Sequence, residues 1–158
     1  MKYLLAWCVL LLLTFDSFPE SPDTAKTICI ITKDDDVAAF RTIGRILNGS
    51  GYDLEDSEEA LMVITTEIMN KDFGTFHLDK IALRLRAEIT MTDSITIIKL
   101  SGDYLEKGMI NRELAEEYFD QHSIAIAHRP ASSPAEETAW SYMMDVAEKY
   151  KNGKILVR

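Results

Sequence analysis

The stretch IALRLRAEITMT, residues 81–92, constrains the fold of this chain more than any other part of the sequence. Its side chains alternate between two classes, and successive side chains of a β-strand point to opposite faces. The pattern therefore predicts a strand with one dry face and one wet face. Asp93 and Ser94 predict a two-residue turn into a second strand over 95–104, so the two strands form a hairpin. A sheet that is dry on one face needs a covering layer of helices.

Local signals predict the remaining elements. Runs rich in β-branched residues predict strands over 27–32 and 60–68. Apolar residues spaced by three and four predict helices over 37–48 and 135–150. The segment 106–135 interrupts this order and reads as an insertion with some helical character. We expect the connection at 52–59 to be polar and to contain at most a short strand, the segment 70–77 to be a loop, and 154–158 to be a short apolar tail.

This order, β-α-β-β-β-α, predicts an α+β fold. We expect a two-layer sandwich in which a mostly antiparallel four-stranded sheet carries two main helices on one face. The dry residues of the strands and the apolar stripes of the helices should form the core. The expected core residues are Phe40, Ile43, Leu47, Leu83, Leu85, Ile89, Trp140, Met144 and Ala147.

The first 17 residues have the layout of a secretory signal peptide. Lys2 precedes the apolar run Leu4–Leu13, and a polar stretch follows it. The run is about half of the roughly 20 apolar residues that a membrane-spanning helix needs. We therefore expect residues 1–17 to be removed, 18–26 to form a disordered leader and 27–158 to form one domain. The expected location is periplasmic or secreted, without stable membrane insertion after cleavage.

Charge and cysteine content narrow the possible partners. The chain has 26 acidic and 17 basic residues, with a net charge of −9. Such a surface repels the phosphates of nucleic acids, so we expect no nucleic-acid partner. If Cys8 leaves with the signal peptide, Cys29 has no intramolecular partner and we expect a small buried side chain in a strand.

Motifs that carry chemistry are missing from the sequence. We find no glycine-rich phosphate loop, no Cys-x-x-Cys and no His-Glu-x-x-His. The histidines His77, His122 and His128 are dispersed over expected loops. The last two flank one short segment and would share a face as a weak metal site if that segment were extended. The acidic run 34–36 lacks the spacing of a calcium loop and is better placed to cap a helix. We expect no cofactor and no metal site.

Three basic residues on the hairpin are the candidate binding residues. Arg84 and Arg86 lie on the wet face of the first hairpin strand, and Lys99 lies on the second strand. Together they could receive an anion or an acidic partner. The alternative is that these residues, joined on the same face by Glu88, form cross-strand ion pairs.

The pattern resembles a loose group of small bacterial envelope proteins that have a signal or lipoprotein leader and a β-α-β-β-β-α domain. The matching segments are 46–54, 61–67, 83–102, 139–147 and 153–155. The resemblance covers 27–158 apart from 106–135. It implies a periplasmic or surface-attached accessory module whose partner is an envelope protein. The group has no catalytic motif, so it transfers no site residues.

Three functions follow as hypotheses. The first is a secreted or periplasmic, non-enzymatic binding or assembly module that uses Arg84, Arg86 and Lys99 together with the insertion 106–135. The second is a small hydrolase that uses His122 or His128 with Asp120. The third is a structural protein that associates with itself through an exposed edge strand.

Overall fold

The computed structural model describes residues 24–73, 79–106 and 115–158. The signal-peptide prediction for 1–17 lies outside these residues, as does His77. The described helices are α1 (Asp36–Gly49), α2 (Ala115–His122) and α3 (Pro134–Glu148). The described strands are β1 (Ile28–Thr32), β2 (Leu54–Glu58), β3 (Val63–Thr66), β4 (Met69–Phe73), β5 (Asp79–Thr92), β6 (Ile95–Glu106), β7 (Ile124–Ala125) and β8 (Gly153–Val157).

All described strands belong to one antiparallel sheet. Its main path runs β2-β3-β5-β6-β1-β8, and the short strands β4 and β7 pair with the remaining parts of β5 and β6. The predicted hairpin is confirmed, because β5 and β6 pair along their length and Asp93 sits at the turn with a φ of 45°. The α+β class and the antiparallel sheet are likewise confirmed.

The expected count of four strands is wrong, since the described sheet contains eight. Two of the additional strands are polar. β2 has the sequence LEDSE and lies at a sheet edge, and β4 has the sequence MNKDF and lies within the segment expected to be a loop. Neither sequence shows the apolar alternation of a half-buried strand. Their extended backbones are held instead by pairing with β3 and β5. The expected apolar tail is strand β8, which pairs with β1.

The predicted strand over 60–68 is also too long. Residues 59–62 form a turn, and Met62 has a φ of 53°, which is rare for a side chain of this size. β3 therefore begins only at Val63. The apolar residues of the turn were mistaken for part of the strand. Leu61 is exposed in the turn, whereas Met62 packs against the core.

Helices α1 and α3 cover the dry face of the sheet. The carboxylate of Asp35, within the acidic run expected to cap a helix, accepts a hydrogen bond from the Ala38 N–H, and the Ser133 hydroxyl accepts one from the Glu136 N–H, so these two residues are the N-caps of α1 and α3. The expected core residues are buried, except that Met144 is only partly buried. Met91 ends the dry side of β5 and is 53% exposed, because it lies at the tip of the hairpin beyond the helices.

The opposite face of the sheet is not fully exposed. Arg84 lies between the core residues Leu83 and Leu85 in β5 and therefore points away from α1 and α3. It nevertheless contacts Phe119 and Asp120 of α2. Helix α2 thus lies on this second face, and the expected two-layer sandwich is not confirmed. Ala82, which shares the face, is fully buried rather than wet.

Residues from the expected leader and the expected insertion are tied to the domain. Ala25 exchanges two backbone hydrogen bonds with His128, at 2.9 and 2.7 Å. The His128 ring stacks on Trp140 of α3 with the ring centres 5.4 Å apart. Arg129 forms an ion pair at 2.6 Å with Glu136, whose side chain is only 5% exposed. Ala25 and Lys26, which precede the expected boundary at Thr27, are therefore hydrogen-bonded to the domain.

Candidate functional site

The three candidate binding residues lie on one face of the sheet, opposite α1 and α3. The register of the hairpin places Arg84 beside Asp103, Arg86 beside Ser101 and Glu88 beside Lys99. Their surroundings differ, however, because α2 covers the region around Arg84 and leaves Arg86 and Lys99 exposed. The face therefore has a covered part and an uncovered part.

Arg84 is the centre of the covered part. Its Nη1 donates to Asp120 Oδ1 at 2.9 Å, and its Nε lies 3.6 Å from Glu55 Oε2. The ring of Phe119 lies 5.3 Å from the guanidinium carbon and excludes water from it. The Arg84 side chain is only 19% exposed. Its ion pairs with these two carboxylates link α2 and β2 to the sheet, although the buried Nε has no hydrogen-bond partner among the described residues.

Glu55 reaches Arg84 because of an irregularity in β2. The register between β2 and β3 shifts between Leu54 and Asp56, which is typical of a β-bulge. A bulge places two successive side chains toward the same face, so Glu55 and Asp56 both lie on the side of Arg84. No local sequence pattern predicts this bulge, since a bulge depends on the pairing of both strands.

Asp103 is the third carboxyl group of this cluster. Partial loss of water around it raises its pKa, the charge of Asp120 raises it further, and Arg84 opposes the increase. The folded state therefore binds a proton at Asp103 more tightly than the unfolded state does, and ionised Asp103 lowers stability at neutral pH.

The substitution Asp103→Asn should raise the midpoint of thermal unfolding at pH 7, because it removes a disfavoured charge and keeps a side chain of similar shape. The gain should shrink as the pH falls through the raised pKa of Asp103 and should vanish below about 3.9, the ordinary pKa of aspartate. Thermal melts of both proteins between pH 3 and pH 7 measure this. A gain of equal size at every pH would show that the charge of Asp103 is not the cause.

The uncovered part carries the two remaining basic residues. Arg86 Nε donates to Glu88 Oε1 at 3.0 Å, and the two side chains are 53% and 39% exposed, so this solvent-accessible pair contributes little stability. Lys99 is exposed and has no ion-pair partner among the described residues. Arg86 is thus paired within its own strand β5 rather than across strands, and the ammonium of Lys99 is left available.

Apolar side chains lie next to Lys99 on this uncovered part. Ile31 of β1 is directly opposite Ile97 of β6, and Cys29 is directly opposite Leu156 of β8. All but Cys29 are only half buried, and neither α1 nor α3 can cover them because these helices lie on the other face. Cys29 is a buried free thiol, as expected. We call these four residues, with Arg86 and Lys99, the open face.

The residues of the hydrolase hypothesis lie apart in the described structure. The His122 ring stacks on Tyr118 with ring centres 4.1 Å apart, and its Nδ1 lies 2.9 Å from the Tyr118 carbonyl oxygen. His128 stacks on Trp140 instead. Asp120 is bound to Arg84, and no hydrogen bond or ion pair joins it to either histidine within the described ranges. Among those residues there is also no group of three or more side chains that could hold a metal ion.

A groove beside α1 was missed by the sequence analysis. It has a volume of about 830 Å³ and lies between α1 and the strands β2 and β3, with Phe40, Gly44 and Ile64 among its lining residues. Gly44 has no positive φ, and an added Cβ would make only an ordinary contact of 3.4 Å with Ile64. A glycine within an otherwise regular helix was the one signal in the sequence for this feature.

Comparison with established families and with curated proteins finds no match for this chain. None of the established protein-family models matches the sequence, and no curated protein matches it significantly. In the part of the chain that the structure describes, no helix has the length and apolar character needed to cross a membrane.

Proposed function

We propose that this protein is a secreted or periplasmic, non-enzymatic binding module of the bacterial envelope, and that it binds an envelope protein through the open face. One observation carries the proposal. Half-buried apolar side chains lie beside Lys99, which has no ion-pair partner, on a sheet surface that no described helix covers. Apolar centres with a polar rim are the usual composition of protein-binding surfaces.

The charges of the open face suggest the chemistry of the partner. Lys99 is exposed and unpaired on a protein whose net charge is −9, and Arg86 lies on the same face with Glu88 as its partner, so the unpaired charge of the open face is positive. Ile31, Ile97 and Leu156 offer an apolar surface beside them. A partner segment with apolar side chains and flanking carboxylates would complement both features.

The segment 106–135 supplies a second contact region. Within its described residues, Tyr118 of α2 and Ile124 of β7 are 50% and 53% exposed. β7 pairs with β6 at Asp103 and Tyr104, next to the covered part of the same sheet face. A partner that binds the open face could therefore extend its contact onto this segment.

The proposal predicts that replacing both Arg86 and Lys99 by Ala abolishes capture of the partner while leaving the fold intact. Each side chain is exposed, so we expect a change in stability of no more than about 0.5 kcal/mol. The immobilised wild-type protein and the variant are incubated with the envelope fraction, and bound proteins are identified by mass spectrometry.

A matched control removes one arginine and one lysine from a different surface of the protein. Arg45 and Lys151 line a cleft between α1 and the end of α3, on the helix side of the sheet, and both are exposed. Their replacement by Ala should leave capture unchanged. Equal loss of the partner in both double variants would indicate a general charge effect, and undiminished capture by the Arg86 and Lys99 variant would remove the open face as the binding surface.

A further inference from the structure

The two edges of the sheet are complementary in direction. The main path contains six strands, each antiparallel to the next, with β2 at one edge and β8 at the other. Because the number is even, β2 and β8 run in opposite directions. A second copy of the chain, moved along the sheet without reversal, would therefore place its β8 antiparallel to β2 of the first copy. Its helices would lie on the same side.

The outer edge of β8 has backbone groups available for pairing. Thr27 and Arg158 exchange two backbone hydrogen bonds, at 2.8 and 2.9 Å. Since such pairs alternate along an antiparallel ladder, the N–H and C=O groups of Ile155 and Val157 point away from β1. No described strand lies outside β8 to receive them. Val157 is also 46% exposed, which is unusual for an apolar residue of a strand.

The side chains of the two edges match face by face. On the helix side, β8 presents Ile155 and Val157, and β2 presents the half-buried Leu54. On the opposite side, β8 presents Lys154, in register with Ile31 of the open face, and its ladder continues to the basic Arg158.

β2 presents acidic side chains on that same side. Asp56 pairs with Thr65 and Glu58 pairs with Val63, and these β3 residues lie opposite Arg86 and Glu88 of β5. Both carboxylates are exposed and have no ion-pair partner among the described residues, and the same is true of Lys154 and Arg158. The charges of each edge are therefore available to a partner.

We propose that the protein associates with itself head to tail, with β8 of one copy added to β2 of the next. Pairing of two β2 edges would bring acids together, and pairing of two β8 edges would bring bases together, so both symmetric dimers are disfavoured. Pairing of β2 with β8 joins acid to base and continues the antiparallel sheet. Because the two surfaces differ, every added copy leaves one free edge of each kind, and the assembly grows beyond a dimer.

The test uses sedimentation velocity of the full-length protein over a range of concentrations at low and high salt. The average sedimentation coefficient should rise with concentration at low salt and fall when salt screens the edge charges. Two variants are made, and each reverses the charge of one edge strand. In the first, Asp56→Lys and Glu58→Lys make β2 basic, and in the second, Lys154→Glu and Arg158→Glu make β8 acidic. For each variant alone, the association constant should fall by at least about tenfold, because like charges then face each other across the two edges.

Mixing the two variants provides the decisive outcome. The acidic β8 of one variant complements the basic β2 of the other, and the two unaltered edges complement each other as well. The equimolar mixture should therefore recover association. A further variant, Val157→Pro, removes an outward N–H and should prevent association in the wild-type background, with circular dichroism showing an intact fold.

Other results would overturn the proposal. These are a monomer at every concentration at low salt, a symmetric dimer that does not grow, association that survives either charge reversal, or a mixture that stays monomeric. None of the substituted residues belongs to the pair Arg86 and Lys99, so failure of this proposal leaves the partner-binding proposal standing, and the reverse also holds.

Discussion

Replacing Trp140 by Ala should lower the free energy of unfolding by about 3–5 kcal/mol, the largest effect expected of any single substitution considered. The Trp140 ring is 7% exposed and belongs to the main core on α3. It also carries the stacked ring of His128, through which the strand-like bridge to Ala25 is held against the domain. The cavity left by the indole would therefore weaken the core and release the N-terminal part of the described chain.

Urea denaturation measures this loss, and two further variants separate its causes. Trp140→Phe keeps a ring in the core and should cost clearly less than the alanine substitution. His128→Ala removes only the stacked partner and should cost about 1 kcal/mol. If His128→Ala were as damaging as Trp140→Ala, the stacking contact rather than core filling would dominate the stability of this region.

Replacing Gly102 by Ala should lower the free energy of unfolding by about 2–3 kcal/mol, although it adds a single methyl group. A Cβ at this position would lie 2.6 Å from the carbonyl oxygen of Arg84 and 2.8 Å from Leu85 Cδ2. Ile126 Cδ1 would be 3.0 Å away. The neighbouring backbone cannot yield as a flexible side chain can, so β5 and β6 would have to separate locally.

Gly49→Ala is the matched control for this substitution. Gly49 ends α1, and an added Cβ there would meet no atom within 4 Å. We expect Gly49→Ala to leave stability unchanged or to raise it by up to about 1 kcal/mol. Denaturation curves of both variants decide the point, and a neutral effect of Gly102→Ala would mean that the hairpin is less tightly packed than the contacts of Gly102 imply.

The functional site was predictable only in part. Alternation in the sequence correctly placed Arg84 and Arg86 on one face of β5, and the turn at Asp93 and Ser94 placed Lys99 on the same face of β6. The sequence could not indicate that Asp120 and Glu55 form ion pairs with Arg84. These partners are distant along the chain, and their meeting depends on where α2 and β2 dock.

The sequence by itself determined the elements whose signals are local. The hairpin follows from the side-chain alternation of a strand, and α1 and α3 follow from apolar spacing and from the caps Asp35 and Ser133. In these elements, a residue and its neighbours within about one turn or one pleat contain the information, because that is the range over which the backbone geometry repeats.

Only the tertiary structure decided the extent of the sheet, the position of α2 and the character of the two edges. β2 and β4 are polar strands held by pairing with β3 and β5, and nothing in their own sequences requires extension. The opposite directions of β2 and β8 likewise follow from the order of all the strands between them. Strand pairing joins residues that are far apart in sequence, so its outcome depends on the free energy of the whole fold rather than on local propensity.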